Sequence, residues 1–75
     1  MSNNRPMNRD KLREIGAALY GPRWQSALAR DLNVHRDSVR GWARGRTAIS
    51  EGVAADLREL ATRRMVALRD ALKTD

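Results

Sequence analysis

Residues 25–42, QSALARDLNVHRDSVRGW, constrain the fold of this chain more than any other stretch. Ala29 and Leu32 share a face of one short helix, and Val39 and Trp42 share a face of another. Val34 falls between them, where it plugs the angle at which the two helices meet. Asn33 stands where the turn needs a residue tolerant of positive φ, and asparagine is the best non-glycine choice.

The flanking sequence reads as the rest of a small helical domain. Asn8 is an N-cap for a first helix, with Met7 and Leu12 spaced as a hydrophobic staple. Leu12, Ile15 and Leu19 form its core-facing stripe, Arg9, Lys11 and Arg13 lie off that stripe in solvent, and Gly21-Pro22 stops it. A second helix is expected over residues 23–32, with Trp24, Ala27, Leu28 and Ala29 inward. A third is expected over 36–44, opened by His35 and ended by Gly45. The last runs from a Ser50 cap to about Lys73 without a proline. Its early apolar positions, Val53, Ala54, Leu57 and Leu60, close the core. Beyond them Ala61, Met65, Leu68 and Leu72 are spaced 4, 3 and 4, a seam at coiled-coil spacing. A helix of that length spans roughly 34 Å, more than so small a core covers. The distal seam therefore predicts a dimer interface with a second chain; the competing arrangement folds it back over the first helix.

Charge is distributed unevenly. The net charge is +6 and the pI near 11.3, which points to a polyanionic partner. Residues 23–46 hold six arginines against two aspartates, a local +4, whereas residues 51–75 balance five basic against five acidic groups. Arginine also far outnumbers the two lysines, which favours planar, bidentate contact with phosphate or guanine.

Two short helices crossing steeply through a three- or four-residue turn make a helix-turn-helix. The segment resembles the DNA-binding helix-turn-helix of the Cro and phage-repressor type. The match runs through Gln25 opening the first helix of the pair, Ala29 at the crossing, Leu32-Asn33-Val34 at the turn, and Val39 and Trp42 in the second helix. It departs from the family at Asn33, where glycine is usual. The resemblance implies an all-α, compact domain of four to five helices. Residues 1–7 are then a flexible basic arm, in which Arg5 either touches phosphate or simply frays. Residues 8–49 form the DNA-binding core, and residues 50–75 complete that core and form the dimer interface.

Recognition helices of this type enter the major groove with their N-terminal residues toward the bases. With Val39 and Trp42 inward, the base-reading set is Arg36, Asp37, Arg40 and Gly41. Arg36 and Arg40 suit guanine O6 and N7. Asp37 either accepts from cytosine N4, orients one of those arginines, or complements the helix dipole. Gly41 brings the helix close to the groove wall at a cost in helix stability. Phosphate contacts fall to Gln25, His35, Ser38, Arg44, Arg46 and Thr47. Each has a plainer reading as well: Gln25 as a solvated first-turn residue, His35 as a cap, Ser38 as packing at the crossing, and the Arg44–Thr47 loop as solvent-facing.

Other classes find less support. The chain has no cysteine and a single histidine, so neither a disulfide, a metal site nor a cofactor is expected. It offers no nucleophile–base pair for an enzyme and no small-molecule site. Trp24, Trp42 and Tyr20 are too few for a stacking platform on single-stranded RNA. No apolar run approaches the ~20 residues of a membrane span, and the polar N-terminus lacks a secretory core, so a cytoplasmic protein is expected. At 75 residues a chain buries only about 60% of its unfolded surface, which makes association with a second copy the available route to stability. The reading is a homodimeric duplex-DNA regulator, a repressor or autorepressor on an inverted repeat. The alternative is a protein-interaction adaptor or antitoxin whose last helix binds a different protein.

Overall fold

The computed structural model describes residues 7–73, and every regular element in them is helical. In chain order these are α1 (Arg9–Tyr20), a 3₁₀ turn (Gly21–Arg23), α2 (Trp24–Leu32), α3 (Arg36–Ala43) and α4 (Glu51–Lys73). Among the described residues no helix is long and apolar enough to cross a membrane. The expected arm lies outside them, apart from Met7, which packs against the core and so belongs to the domain.

Local chemistry sets most boundaries. The Asn8 side chain accepts from the Lys11 N–H at 2.8 Å, capping α1. Gly21 ends α1 at φ 80, a conformation open to glycine, and Pro22 fixes the next turn as 3₁₀. That turn takes Arg23 out of α2, which starts one residue later than the sequence suggests. Likewise α3 stops at Ala43, with Arg44 as its cap rather than its last residue. Ser50 Oγ accepts from Val53 N–H at 3.1 Å and opens α4.

The core is apolar throughout. Leu12, Leu28, Val39 and Leu57 are fully buried, with Trp24, Ala29, Trp42, Ala43, Ala54 and Leu60 around them. The inner face of α1 differs from the expected stripe: it centres on Leu12 and Gly16, while Leu19 is only half-buried. The cause is Trp24, whose indole lies directly against Gly16, so that a Cβ there would stand 2.5 Å from Cδ2 and 3.0 Å from Cγ.

The backbone of α4 approaches α1 and α2 but not α3. A polar cluster fixes this placement. Asp31 Oδ2 accepts from Tyr20 Oη–H at 2.6 Å and from Arg64 Nη2 at 2.7 Å, joining α1, α2 and α4 at one atom. The Arg64 guanidinium also lies 5.4 Å from the Tyr20 ring centroid, within cation–π reach. These contacts hold α4 along α1 and α2, and the far seam does not fold back over α1. Met65, Leu68 and Leu72 are exposed and Ala61 half-buried.

Candidate nucleic-acid interface

Two Schellman closures frame α3. At its near side Asn33 adopts φ 59, ψ 46, the left-handed conformation its position demands. Its N–H reaches Arg30 O at 3.2 Å, and the Val34 N–H reaches Ala29 O at 2.9 Å. Val34 is thereby turned against the core, so α2 and α3 meet at a fixed angle through residues 33–35. At the far side Gly45, at φ 76, donates to Trp42 O at 3.1 Å, and Arg46 N–H to Gly41 O at 2.9 Å. The helix between them is short, and both of its loops are pinned by backbone hydrogen bonds.

Val39 and Trp42 point into the core, so the opposite face of α3 is solvent-exposed. Arg36, Asp37, Ser38, Arg40 and Arg44 are all exposed on or at the end of that helix, with Arg46 and Thr47 in the loop behind it. Arg36 and Arg40, one turn apart, project side by side. Among the described residues neither they nor Arg44 and Arg46 has a carboxylate within ion-pair distance. Arg9, Lys11, Arg30, Arg63, Arg64 and Arg69 all do. The four arginines around α3 therefore carry their full charge into solvent. Arg13, Arg23, Arg58 and Lys73 are the other described cations without an ion pair.

His35 is the N-cap of α3, and its Nδ1 accepts from the Asp37 N–H at 3.0 Å. Accepting there requires a lone pair on Nδ1, so the proton of the neutral ring sits on Nε2, free to donate outward. The Asp37 carboxylate lies 3.6 Å from that same nitrogen and makes no ion pair with Arg36 or Arg40, so in this state it does not orient either one. Gly41 is half-buried rather than bare: Thr47 covers it, and a Cβ there would stand 3.1 Å from Thr47 Oγ1. Gln25 is half-buried in the first turn of α2, and the N-cap of that helix makes no side-chain bond.

One basic residue was not expected here. Arg9 reads from the sequence as a solvated residue of the first helix, yet its side chain lies over the loop after α3. A Cβ at Gly45 would be 3.4 Å from Arg9 Cδ and 3.5 Å from its Nη1. The fold thus adds a cation to the end of α3 that no sequence spacing reveals. Its 3.7 Å approach to Asp10 is between exposed groups and holds it weakly.

Among the described residues no group of three or more His, Cys, Asp or Glu side chains is placed to hold a metal. No protein-family model matches this chain, and neither a curated protein nor a solved structure does.

Proposed function

We propose that this chain is a sequence-specific duplex-DNA-binding transcriptional regulator that uses α2, residues 33–35 and α3 as a helix-turn-helix. The observation that carries this reading is the set of exposed arginines without an ion pair at 36, 40, 44 and 46, on α3, at its cap and in the loop behind it, the other face of the helix being locked into the core. Arg36 and Arg40 read bases, with Asp37 beside them. Arg44, Arg46 and Thr47, together with Arg9, hold the backbone at the far end of α3. The His35 Nε2–H, Ser38 and the first turn of α2 at Gln25 hold it at the near end. Gly41 serves by letting Thr47 close against the helix. The chain acts as a homodimer through α4 and represses by occupying a promoter, its own being the first candidate.

Selection of duplexes from a random library, followed by fluorescence anisotropy over about 50 to 200 mM salt, tests the proposal. A selected site preferred by ~10³-fold over a scrambled duplex is the expected result. Arg36→Ala and Arg40→Ala each relax that preference, at a cost of about 1–3 kcal/mol. Arg46→Ala weakens all duplexes alike and lowers the salt slope by about 1. Equal binding of every duplex, lost as salt rises, overturns the proposal.

The exposed Met65, Leu68 and Leu72 favour one second reading, an adaptor or antitoxin in which α4 binds a different protein and DNA contact is auxiliary. Under that reading, replacing both Arg36 and Arg40 leaves the principal interaction intact.

A further inference from the structure

Residues 62–73 of α4 are exposed at every position, and Leu60 is its last buried one. Met65 is 64% exposed, Leu68 63%, Leu72 79% and Val66 40%. Apart from Arg64, which reaches Asp31 and Tyr20, these twelve helical residues gain nothing from the core, and such a helix is marginal in water whatever its propensity. Three large apolar side chains in one line make this overhang a surface that wants a cover.

We infer that the cover is the same segment of a second copy, laid antiparallel, with Ala61 against Leu72 and Met65 against Leu68 of the second copy. The inference rests on the homodimer part of the proposed function and specifies its geometry. Three observations support it. The first is charge. In the heptad register that places 61, 65, 68 and 72 on the seam, the flanking residues are Thr62, Arg64, Arg69 and Ala71. A parallel pair sets Arg64 across from Arg69 of the second copy on both flanks, two like-charge contacts with no acid in the flanking positions. Reversing one helix sets Arg64 across from Ala71 and Thr62 across from Arg69, and both repulsions vanish. Arg64 is moreover committed to Asp31 and Tyr20 of its own domain, which keeps it from swinging away from a parallel partner.

The second observation is room. Ala54, Leu57 and Leu60 occupy the proximal half of α4 with the core, so an antiparallel pair overlaps only the free halves and leaves a core at each end. The third is area. Met65 at 64%, Leu68 at 63% and Leu72 at 79% exposure put each overhang within the few hundred Å² of a typical functional apolar patch, roughly 400 Å². Two overhangs with their polar flanks reach the ~1,000 Å² at which specific interfaces begin, which is enough for a modest dimer. The geometry bears on DNA as well. Along the axis of this pair residue i is level with residue 133 minus i, the residues level with each other off the seam lying on opposite flanks, so the two Leu57 positions stand 19 residues apart. That is about 28 Å along the pair, before the lateral offset of the cores is added. Half-sites one helical turn apart lie ~34 Å from each other.

The full chain has no cysteine, so single engineered thiols report the arrangement without background. Sedimentation of the unmodified chain at high micromolar concentration is expected to show a dimer. Leu72→Asp, at an exposed position, is expected to sediment as a monomer with unchanged circular dichroism. Under an added oxidant, Ala61→Cys mixed with Leu72→Cys is expected to form a disulfide-linked dimer, whereas Leu72→Cys alone is not. In the antiparallel register two such thiols are 11 residues apart, about 16 Å and far beyond disulfide reach. Efficient self-linking by Leu72→Cys overturns the orientation while leaving a homodimer standing. A dimer that is linked neither in the mixture nor by Leu72→Cys alone overturns the seam. A monomer at every concentration overturns the second copy as occupant and leaves a different protein. None of these measurements contains DNA, so their outcome is separate from that of the binding assay.

Discussion

Gly16→Ala is the substitution whose effect the packing predicts most sharply, because helix propensity and tertiary contact oppose each other there. Gly16 lies in the interior of α1, where alanine is favoured by about 1 kcal/mol. Yet the added methyl would collide with Cε3 of Trp24, and it would stand 2.5 Å from Cδ2 and 3.0 Å from Cγ. An indole is rigid, and this one is 92% buried among core residues, so it yields only by moving α2 relative to α1. Overpacking of this kind costs about 1–3 kcal/mol and sometimes more. With a gross cost of about 3 kcal/mol at the upper end of that range, the net loss is about 2 kcal/mol. Against a total stability of roughly 4–11 kcal/mol for a chain of this size, such a loss is large. It corresponds to a fall in Tm of about 8–16 °C.

Gly52→Ala is the matched control. Gly52 is exposed in the first turn of α4, and its nearest neighbour would be Ser50 Oγ at 3.9 Å, an ordinary contact. The same chemical change there is expected to raise stability by a few tenths of a kcal/mol. Thermal and urea melts followed by circular dichroism measure both. The attribution to Trp24 is tested by Trp24→Phe, which should cost less in the Gly16→Ala background than in the parent. A Gly16→Ala chain that melts with or above the parent refutes the close packing of α1 on the indole.

Gly41→Ala separates fold from function: Thr47 is exposed and can swing its Oγ1 away, so Tm is expected to rise by a few degrees, as propensity alone gives up to ~1 kcal/mol. Binding to the selected duplex, measured on the same sample by anisotropy, is expected to weaken because the Thr47 hydroxyl is turned away from the phosphate it is proposed to hold. Asn33→Gly is expected to hold or slightly raise stability, and Asn33→Val to cost more than about 1 kcal/mol, since a β-branched residue resists φ 59; urea melts distinguish the two. The hydrogen bond from Tyr20, with Arg30 and Arg64, outweighs burial and holds the Asp31 carboxyl below its ordinary pKa. Its contribution is therefore complete above about pH 4 and is lost as the pH falls through the lowered value. Asp31→Asn is expected to flatten that acid limb of the Tm-versus-pH curve. Burial and the bond to Asp31 raise the Tyr20 hydroxyl in turn, so its contribution holds below about pH 10 and fades as pH climbs past it.

The parts of this fold that were legible in the sequence are those decided within a few residues. Asn8 caps α1 because its own side chain reaches the third N–H of the helix, and Gly45 closes α3 because only its own φ has to turn positive. Asn33 and Val34 together specify the turn for the same reason. Apolar spacing likewise marks Leu12, Leu28, Val39 and Leu57 as core without knowledge of what they touch. The parts that were not legible depend on a partner distant in sequence. Nothing near Gly16 says that Trp24 will lie on it, and in a helix a glycine reads as a weakness rather than as a fitted surface. The expected stripe accordingly found Leu12 and Ile15 but gave Leu19 the place that Gly16 holds. Asp37 reads equally as a base reader, an orienter or a dipole charge, and its placement beside His35 follows from a capping geometry that spacing does not report.

Arg9 and Arg64 carry that contrast into function. By sequence they are alike, single cations on the polar side of a helix. The fold sends Arg64 onto Asp31, which it shares with Arg30, and its role there is to hold α4 against α1 and α2. It sends Arg9 over Gly45, where an exposed bond to Asp10 barely offsets it and its charge adds to Arg44 and Arg46. A net charge of +6 therefore says little until the pairs are removed. Once they are, four of the eight unpaired cations among the described residues, Arg36, Arg40, Arg44 and Arg46, lie on α3 or directly behind it, while Arg63, Arg64 and Arg69 of the distal α4 are matched by acids. The helix with the exposed Arg36 and Arg40 is short and closed at both ends by backbone hydrogen bonds, which suits the proposed reading of a rigid polyanion. On the distal half of α4, which carries the free apolar surface, Arg63, Arg64 and Arg69 are each paired with an acid, which suits the proposed contact with a second copy.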